Sequence, residues 1–230
     1  MVYIVQKKII MKNLFLALLA TFLVTSCTVK TNIQFKEDFS GNLEYVFDMS
    51  EMYGLISDDT TKATSMLEDD SDMQASMDEM EAQDGISNVK LMEDLDKGIY
   101  SLSMDFVDIE ALNEVLSGDG LTGALMDDSA GKSAQELRFE RKKNKLFIQL
   151  PNLEALQNDM KETQDSEDGN MAMMQMFDMN YELNISFQRD IKKMKTKGVA
   201  TETGKNLQFK MNLTELLELD NYDQDINVTF

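Results

Sequence analysis

Apolar and polar residues alternate along four stretches of this chain, and a short amphipathic segment follows each of them. Leu43, Tyr45 and Phe47 share one face of the first stretch. Tyr100, Leu102, Met104 and Phe106 do so in the second, Leu146, Ile148 and Leu150 in the third, and Leu207, Phe209 and Met211 in the fourth. A period of two is what a sheet with one buried face requires. Asp48, Asp108, Asn152 and Asn212 then stand where a helix N-cap belongs, with side chains able to accept from the amides of a first turn. Glu51, Glu154 and Glu215 follow close behind, where a helix dipole favours negative charge. The pattern predicts helices running on to Met52, Leu112, Leu156 and Leu217.

Each strand also has a hairpin partner just upstream. Asn32–Glu37 turns through Ser40-Gly41, Val89–Glu93 through Asp96-Lys97-Gly98, and Glu136–Arg141 through Lys142-Lys143-Asn144. Asn184–Arg189 is followed by a basic stretch, Ile191–Lys197, then by Val199–Glu202 and the turn Gly204-Lys205-Asn206. A last strand, Asp225–Phe230, closes the chain. One longer helix is expected from Thr60 to Gln83, with Met66, Met73, Met77 and Met80 on one side and acids on the other; Gly85 stops it. The expected class is therefore α+β with mostly antiparallel sheet, built from four strand–turn–strand–helix units. From Asn42 to Arg141 the element order resembles a ferredoxin-like split βαβ, an analogy of fold that carries no function. The repeat reflects either duplication or a common way of joining a strand to a helix.

The first 26 residues have a different character. Met11-Lys12-Asn13 opens a basic start, Leu14 to Val24 is apolar, and Thr25-Ser26-Cys27 follows. This is the layout of a secretory signal, and the apolar run is shorter than the roughly 20 residues that span a bilayer. Met11 reads as the initiator and Met1–Ile10 as a start-site artefact. Val24-Thr25-Ser26-Cys27 resembles the lipobox of bacterial lipoproteins. That resemblance implies cleavage between Ser26 and Cys27, diacylglycerol on the sulfur and an N-acyl chain on the new amino terminus. The plainer alternative is an ordinary signal peptide with a cysteine nearby. Cys27 is the one cysteine of the chain, so no internal disulfide explains it. Residues 27–230 are expected to form one periplasmic domain. The Gly-, Asp- and Ser-rich stretch 117–132 could divide it into two lobes, and Lys161–Asn170 reads as a second loop.

Composition narrows the chemistry. The chain holds 42 acids against 22 bases, a net charge of −20, and three of those bases, Lys7, Lys8 and Lys12, lie in the leading segment. So acidic a chain argues against nucleic acid as a partner. There is no histidine and no tryptophan, and Pro151 is the single proline. Ser–His–Asp triads, Cys–His pairs and His-bearing zinc sites are excluded. No catalytic residues can be assigned, and the expected protein is not an enzyme.

Several clusters have a functional reading beside a plainer one. Met171, Met173, Met174, Met176 and Met179 offer soft sulfur suited to Cu(I). The chain has 19 methionines, and methionine is also an adaptable core filler, the reading preferred here. Asp69-Asp70-Ser71-Asp72, Asp127-Asp128 and Asp165–Asn170 miss the EF-hand spacing and read as solvated loops. Lys192, Lys193, Lys195 and Lys197, with Arg138, Arg141, Lys142, Lys143 and Lys145, gather much of the positive charge. If their hairpins lie adjacent they form a basic edge. It would either guard against strand-to-strand aggregation or meet lipid headgroups or an acidic partner.

The lipobox, the Gly-containing hairpin leading into a strand and the Asp48-Met49-Ser50 helix start together resemble lipoproteins of Bacteroidetes. There is also a resemblance to the LppM-like family of secreted lipid-associated domains. Neither implies catalytic residues. Thr28 to Lys36 contains no acid. The inner-membrane retention signal and the surface-export tag of such lipoproteins are thus both missing, which points to the periplasmic side of the outer membrane. The expected function is a lipid-anchored, non-enzymatic envelope protein that binds a partner protein or an apolar ligand between sheet and Met-rich helices. The alternative is a periplasmic carrier or chaperone for a lipid or another hydrophobic molecule. No cofactor is expected beyond the lipid on Cys27.

Overall fold

The computed structural model describes residues 26–50, 77–94, 96–117, 137–150, 178–196, 200–212 and 225–230. Its strands are β1 (Ser26–Phe35), β2 (Gly41–Asp48), β3 (Ile86–Asp94), β4 (Ile99–Phe106), β5 (Arg138–Lys142), β6 (Lys145–Gln149), β7 (Asp178–Phe187), β8 (Lys193–Lys195), β9 (Ala200–Thr203), β10 (Asn206–Asn212) and β11 (Asp225–Thr229). Among the described residues, helix α1 spans Ile109–Leu116 and a single helical turn covers 77–81. A seven-stranded sheet has the order β3-β4-β2-β1-β7-β10-β9, and a four-stranded sheet the order β5-β6-β11-β8. Among the described residues all pairings are antiparallel except that of β1 with β7, which run parallel from Ser26↔Asp178 to Phe35↔Phe187.

The first strand of the folded chain thus sits at the centre of the larger sheet. Its alternation is complete: Cys27, Val29, Thr31, Ile33 and Phe35 are buried. Its other face carries polar side chains that bond across the sheet. Gln208 donates to Asn184 (2.8 Å), Asn184 to Asn32 (3.0 Å) and Asn32 to Glu44 (2.9 Å), so amides bridge the parallel seam.

The two sheets share one core. Phe35 of the large sheet stacks on Phe187 at 5.6 Å and meets Phe39, Phe106 and, across the layers, Phe139 edge-on. Phe230 closes the cluster against Phe187 (4.9 Å) and Phe39 (5.6 Å). Phe39 holds a φ of 73° in the β1–β2 turn, a region that bulky side chains rarely adopt. Its ring is buried there, with the Arg141 guanidinium 4.4 Å from its centroid.

Helix α1 forms for the reason its sequence suggests. Asp108 is extended at φ −159° and its carboxylate accepts from the Ala111 amide at 2.8 Å. Ile109, Ala111, Leu112 and Val115 then turn one face into the core. At the end of β2, Asp48 accepts from the Ser50 amide at 3.1 Å, as a cap would.

The expected class needs correcting. The molecule is largely β, with a mixed seven-stranded sheet and a four-stranded one, and not α+β with a helix closing each of four units. Alternation says that one face of a strand is covered, but not by what. Here β5, β6, β8 and β11 leave the large sheet and form the layer that covers it, where helices were expected. The helices expected after Asp48, Asn152 and Asn212 fall outside the described residues, save for Met49 and Ser50 of the first. So does most of the Thr60–Gln83 helix, whose last turn at 77–81 is present and buries Met80.

The ferredoxin-like analogy fails at its fourth strand. β5 should lie beside β2, but β1 occupies that place and β5 joins the other sheet. The first strand also begins at Ser26, where the expectation was about Asn32. Polar Thr28, Lys30 and Asn32 interrupt its hydrophobicity but all lie on the outer face.

Candidate functional site

The two basic segments join one sheet, not as adjacent hairpins but with β11 between β6 and β8, and their cations gather on its face. In the four-stranded sheet, Lys142 pairs with Lys145, Lys145 with Thr229 and Thr229 with Lys193. Paired residues in an antiparallel sheet share a face, so Lys142, Lys145 and Lys193 form one outward row. The next row is Glu140, Phe147, Asn227 and Lys195, and the third is Arg138, Gln149 and Asp225. The opposite face, with Phe139, Leu146, Ile148, Ile226 and Val228, is buried in the core. The basic side chains of the outward rows are exposed and Phe147 is half-buried. Lys142 pairs with Glu140 at 2.9 Å and lies 5.1 Å from the Phe147 ring centroid. Lys145, Lys193, Lys195 and Arg138 have no ion-pair partner among the described residues.

Helix α1 turns this face into a groove of about 840 Å³. Glu110 and Asn113 form one wall; Arg138, Glu140, Phe147, Gln149, Asp225 and Asn227 line the sheet side. Asn113 fixes the wall to the sheet. Its Nδ2 donates to the Phe139 carbonyl and its Oδ1 accepts from the Phe139 amide, both at 2.8 Å. One side chain thereby satisfies both backbone groups of Phe139 in the edge strand β5. Asn113→Ala is expected to lower stability by about 1–3 kcal/mol, the range for leaving partly buried polar groups unpaired. Urea unfolding would measure it, and a loss below about 0.5 kcal/mol would mean that Asn113 does not clamp α1 to β5.

Cys27 lies elsewhere, at the start of β1. It is buried on the inner face, its pairing neighbour is Met179 of β7, and Val29, Tyr45 and Tyr181 continue the same face. Burial, with a smaller contribution from the Asp48 carboxylate, pushes its thiol up to about 11. The thiol is thus protonated at neutral pH, and a thiol is a far weaker nucleophile than a thiolate. Burial likewise raises Tyr45 and Tyr181; the Tyr181 hydroxyl lies 3.5 Å from Thr31 Oγ1. At Asp48 burial disfavours the charge. Hydrogen bonds from Ser50 and the Lys30 ammonium at 3.5 Å outweigh it and hold the carboxyl below its ordinary range.

Of the remaining sequence-derived candidates, Met171, Met173, Met174 and Met176, Lys197 and the three acidic clusters lie outside the described residues. Met179 is placed in β7 beside Cys27 by its backbone. Among the described residues, no three of His, Cys, Asp and Glu gather as a metal-ligand set, and no helix is long and apolar enough to cross a membrane. Sequence reasoning missed Phe147 and Asn113. Phe147 could have been found as the one aromatic on the polar face of its strand. Asn113 carries no such signal, because its partner strand lies across the long 117–132 stretch.

No family model matches the chain, and no curated protein does. Among solved structures, the folded domain of the LppM protein of Mycobacterium tuberculosis, determined by NMR, is similar at 12% identity. The match covers 89% of each chain with a TM-score of 0.39.

Proposed function

We propose that this chain is a lipid-anchored, non-enzymatic protein of the cell envelope whose folded part is a binding module. In this reading, diacylglycerol and an N-acyl chain on Cys27 hold it to the periplasmic face of the outer membrane. The observation that carries the binding-module reading is the contrast between the interior and the outer face of the small sheet. Between the sheets, Phe35, Phe106, Phe139, Phe187 and Phe230 fill the space at ring distances of 4.9–5.6 Å. A carrier needs an enclosed apolar cavity, whereas the groove beside α1 is open and lined with charged and polar groups. A second reading, a carrier for a hydrophobic ligand, draws on the half-buried Tyr45, Phe47, Tyr181 and Met211 at the Cys27 end of the large sheet.

The cut that this anchor needs spares nearly all of the pairing of β1. Among the described residues, a cut before Cys27 removes from β1 only Ser26 and its pairing with Asp178. With its thiol buried in this fold, Cys27 would be open to lipid transfer before β1 docks into the sheet. No long tether then separates bilayer and domain. Cys27→Ser is expected to abolish incorporation of labelled palmitate and to move the protein out of the membrane fraction. Cysteine and serine are nearly isosteric and this position ends a strand, so the melting temperature should change by only a few degrees. Unchanged labelling and membrane retention in the mutant would sink the anchor. Acyl chains that copurify non-covalently with the serine variant would favour the carrier.

A further inference from the structure

We propose that the outer face of the four-stranded sheet docks an acidic polypeptide segment of a partner protein. The segment would lay carboxylates along the lysine row and place one apolar side chain in the groove over Phe147. This deepens the binding-module reading and rests on it.

Edge protection accounts for only part of the basic face. β8 is an edge strand, and lysines there discourage pairing with other chains. Lys145, however, stands on β6, which is paired on both sides by β5 and β11. It also faces Lys142 directly across the strand pair. Like charges so placed are destabilising; Glu140 offsets Lys142 at 2.9 Å, and an anion bound beside Lys145 would offset the other. In a chain with 42 acids against 22 bases, five cations share this face with only two acids, Glu140 and Asp225.

The chemistry favours a peptide over a bilayer. Glu140 and Asp225 line the groove with Glu110, so a uniformly anionic surface pressed flat on this face would meet three carboxylates. A peptide can alternate its groups to suit. The groove also offers a half-buried aromatic floor, which an apolar side chain can cover and a headgroup cannot. Position points the same way. The lysine row adjoins Arg141 and Phe230, which pack on Phe39 at the β1–β2 turn. Cys27 is at the other end of β1, roughly 26 Å away at about 3.3 Å per residue. The face thus lies away from the anchored end. Four strands at about 4.8 Å spacing are roughly 14 Å wide, the length of four or five extended residues.

The test uses the full chain in non-ionic detergent and a fluorescein-labelled, glutamate-rich peptide carrying one phenylalanine, read by fluorescence anisotropy. Reversing Lys145, Lys193 and Lys195 together to glutamate should weaken binding by about tenfold or more, and added salt should weaken the wild type similarly. Phe147→Ala should cost a few-fold and leave the salt dependence intact. Lys90→Glu, on the large sheet, should change nothing. Lys145→Glu alone should fold at least as stably as the wild type, because it replaces a like-charge pair with an opposite one. Absence of peptide binding by the wild type would overturn the proposal. So would equal loss in the Lys90 variant, or lysine-dependent binding to phosphatidylglycerol vesicles in place of the peptide. A chain that keeps its palmitate label yet binds no peptide would refute the docking surface and leave the anchor standing.

Discussion

Phe35→Ala is expected to destabilise the protein by about 3–5 kcal/mol, the usual cost of deleting a fully buried phenylalanine ring. That is a large share of the roughly 5–15 kcal/mol that holds an ordinary domain folded. Phe35 is 3% exposed and touches four other rings: Phe39, Phe106, Phe139 and Phe187. Three of them belong to the large sheet or its turn, and Phe139 belongs to the small sheet. The ring therefore binds the layers together as well as filling space. Its neighbours sit on three strands and a strained turn, so they cannot readily collapse into the vacated volume. Urea denaturation monitored by circular dichroism would give the loss. Phe147→Ala, at a half-buried ring on the outer face, should cost well under half as much. Equal losses at the two positions would mean that the ring cluster is not what joins the sheets.

Gly41→Ala should be nearly as damaging, by a different mechanism. A Cβ at this position would run into the Gln34 carbonyl oxygen and lie 2.7 Å from Cζ of Phe106. The Gln34 carbonyl is backbone in the central strand β1 and cannot turn aside as a side chain could. Either the β1–β2 register opens or the start of β2 moves off the Phe35 cluster, so a loss of about 3 kcal/mol or more is expected, at the upper end for overpacking. Gly204→Ala is the control. It has a φ of +63° but nothing within 4 Å of the added carbon, so only backbone strain of about 1–2 kcal/mol opposes it. If the two alanine variants melt alike, steric approach at Gly41 is not limiting.

Much of the strand content was legible because period-two alternation is local. β4 was expected from Tyr100, Leu102, Met104 and Phe106, and all four are buried. The Asp96-Lys97-Gly98 and Lys142-Lys143-Asn144 turns were visible in the same way, as was the Asp108 cap of α1. The parallel pairing of β1 with β7 was not. It joins residues about 150 positions apart, and no turn chemistry marks it. Its cross-strand bond between Asn32 and Asn184 looks, in sequence, like two unrelated polar residues. The covering layer differs from a helical one for a related reason. An apolar face asks for cover, and capping residues beside it suggest a helix, yet strands from distant hairpins provide the cover here.

The candidate site divides along the same line. The basic residues were visible as a cluster in sequence, and their meeting was stated only as a condition on two hairpins lying together. That adjacency is not what occurs: β11, the last strand, stands between them, pairing with β6 on one side and β8 on the other. It turns scattered lysines into one row on one face. Cys27 could be singled out from the residues before it, whereas its burial in the central strand of the large sheet could not. Residue type, charge and alternation are properties of neighbours along the chain, so the strands, the caps and the chemistry open to each side chain were readable there. Which strands share a sheet, which layer covers which and what stands beside Cys27 depend on how apolar faces find one another in space. Hydrophobic burial is non-directional, and only the packed tertiary structure selects among the pairings it allows.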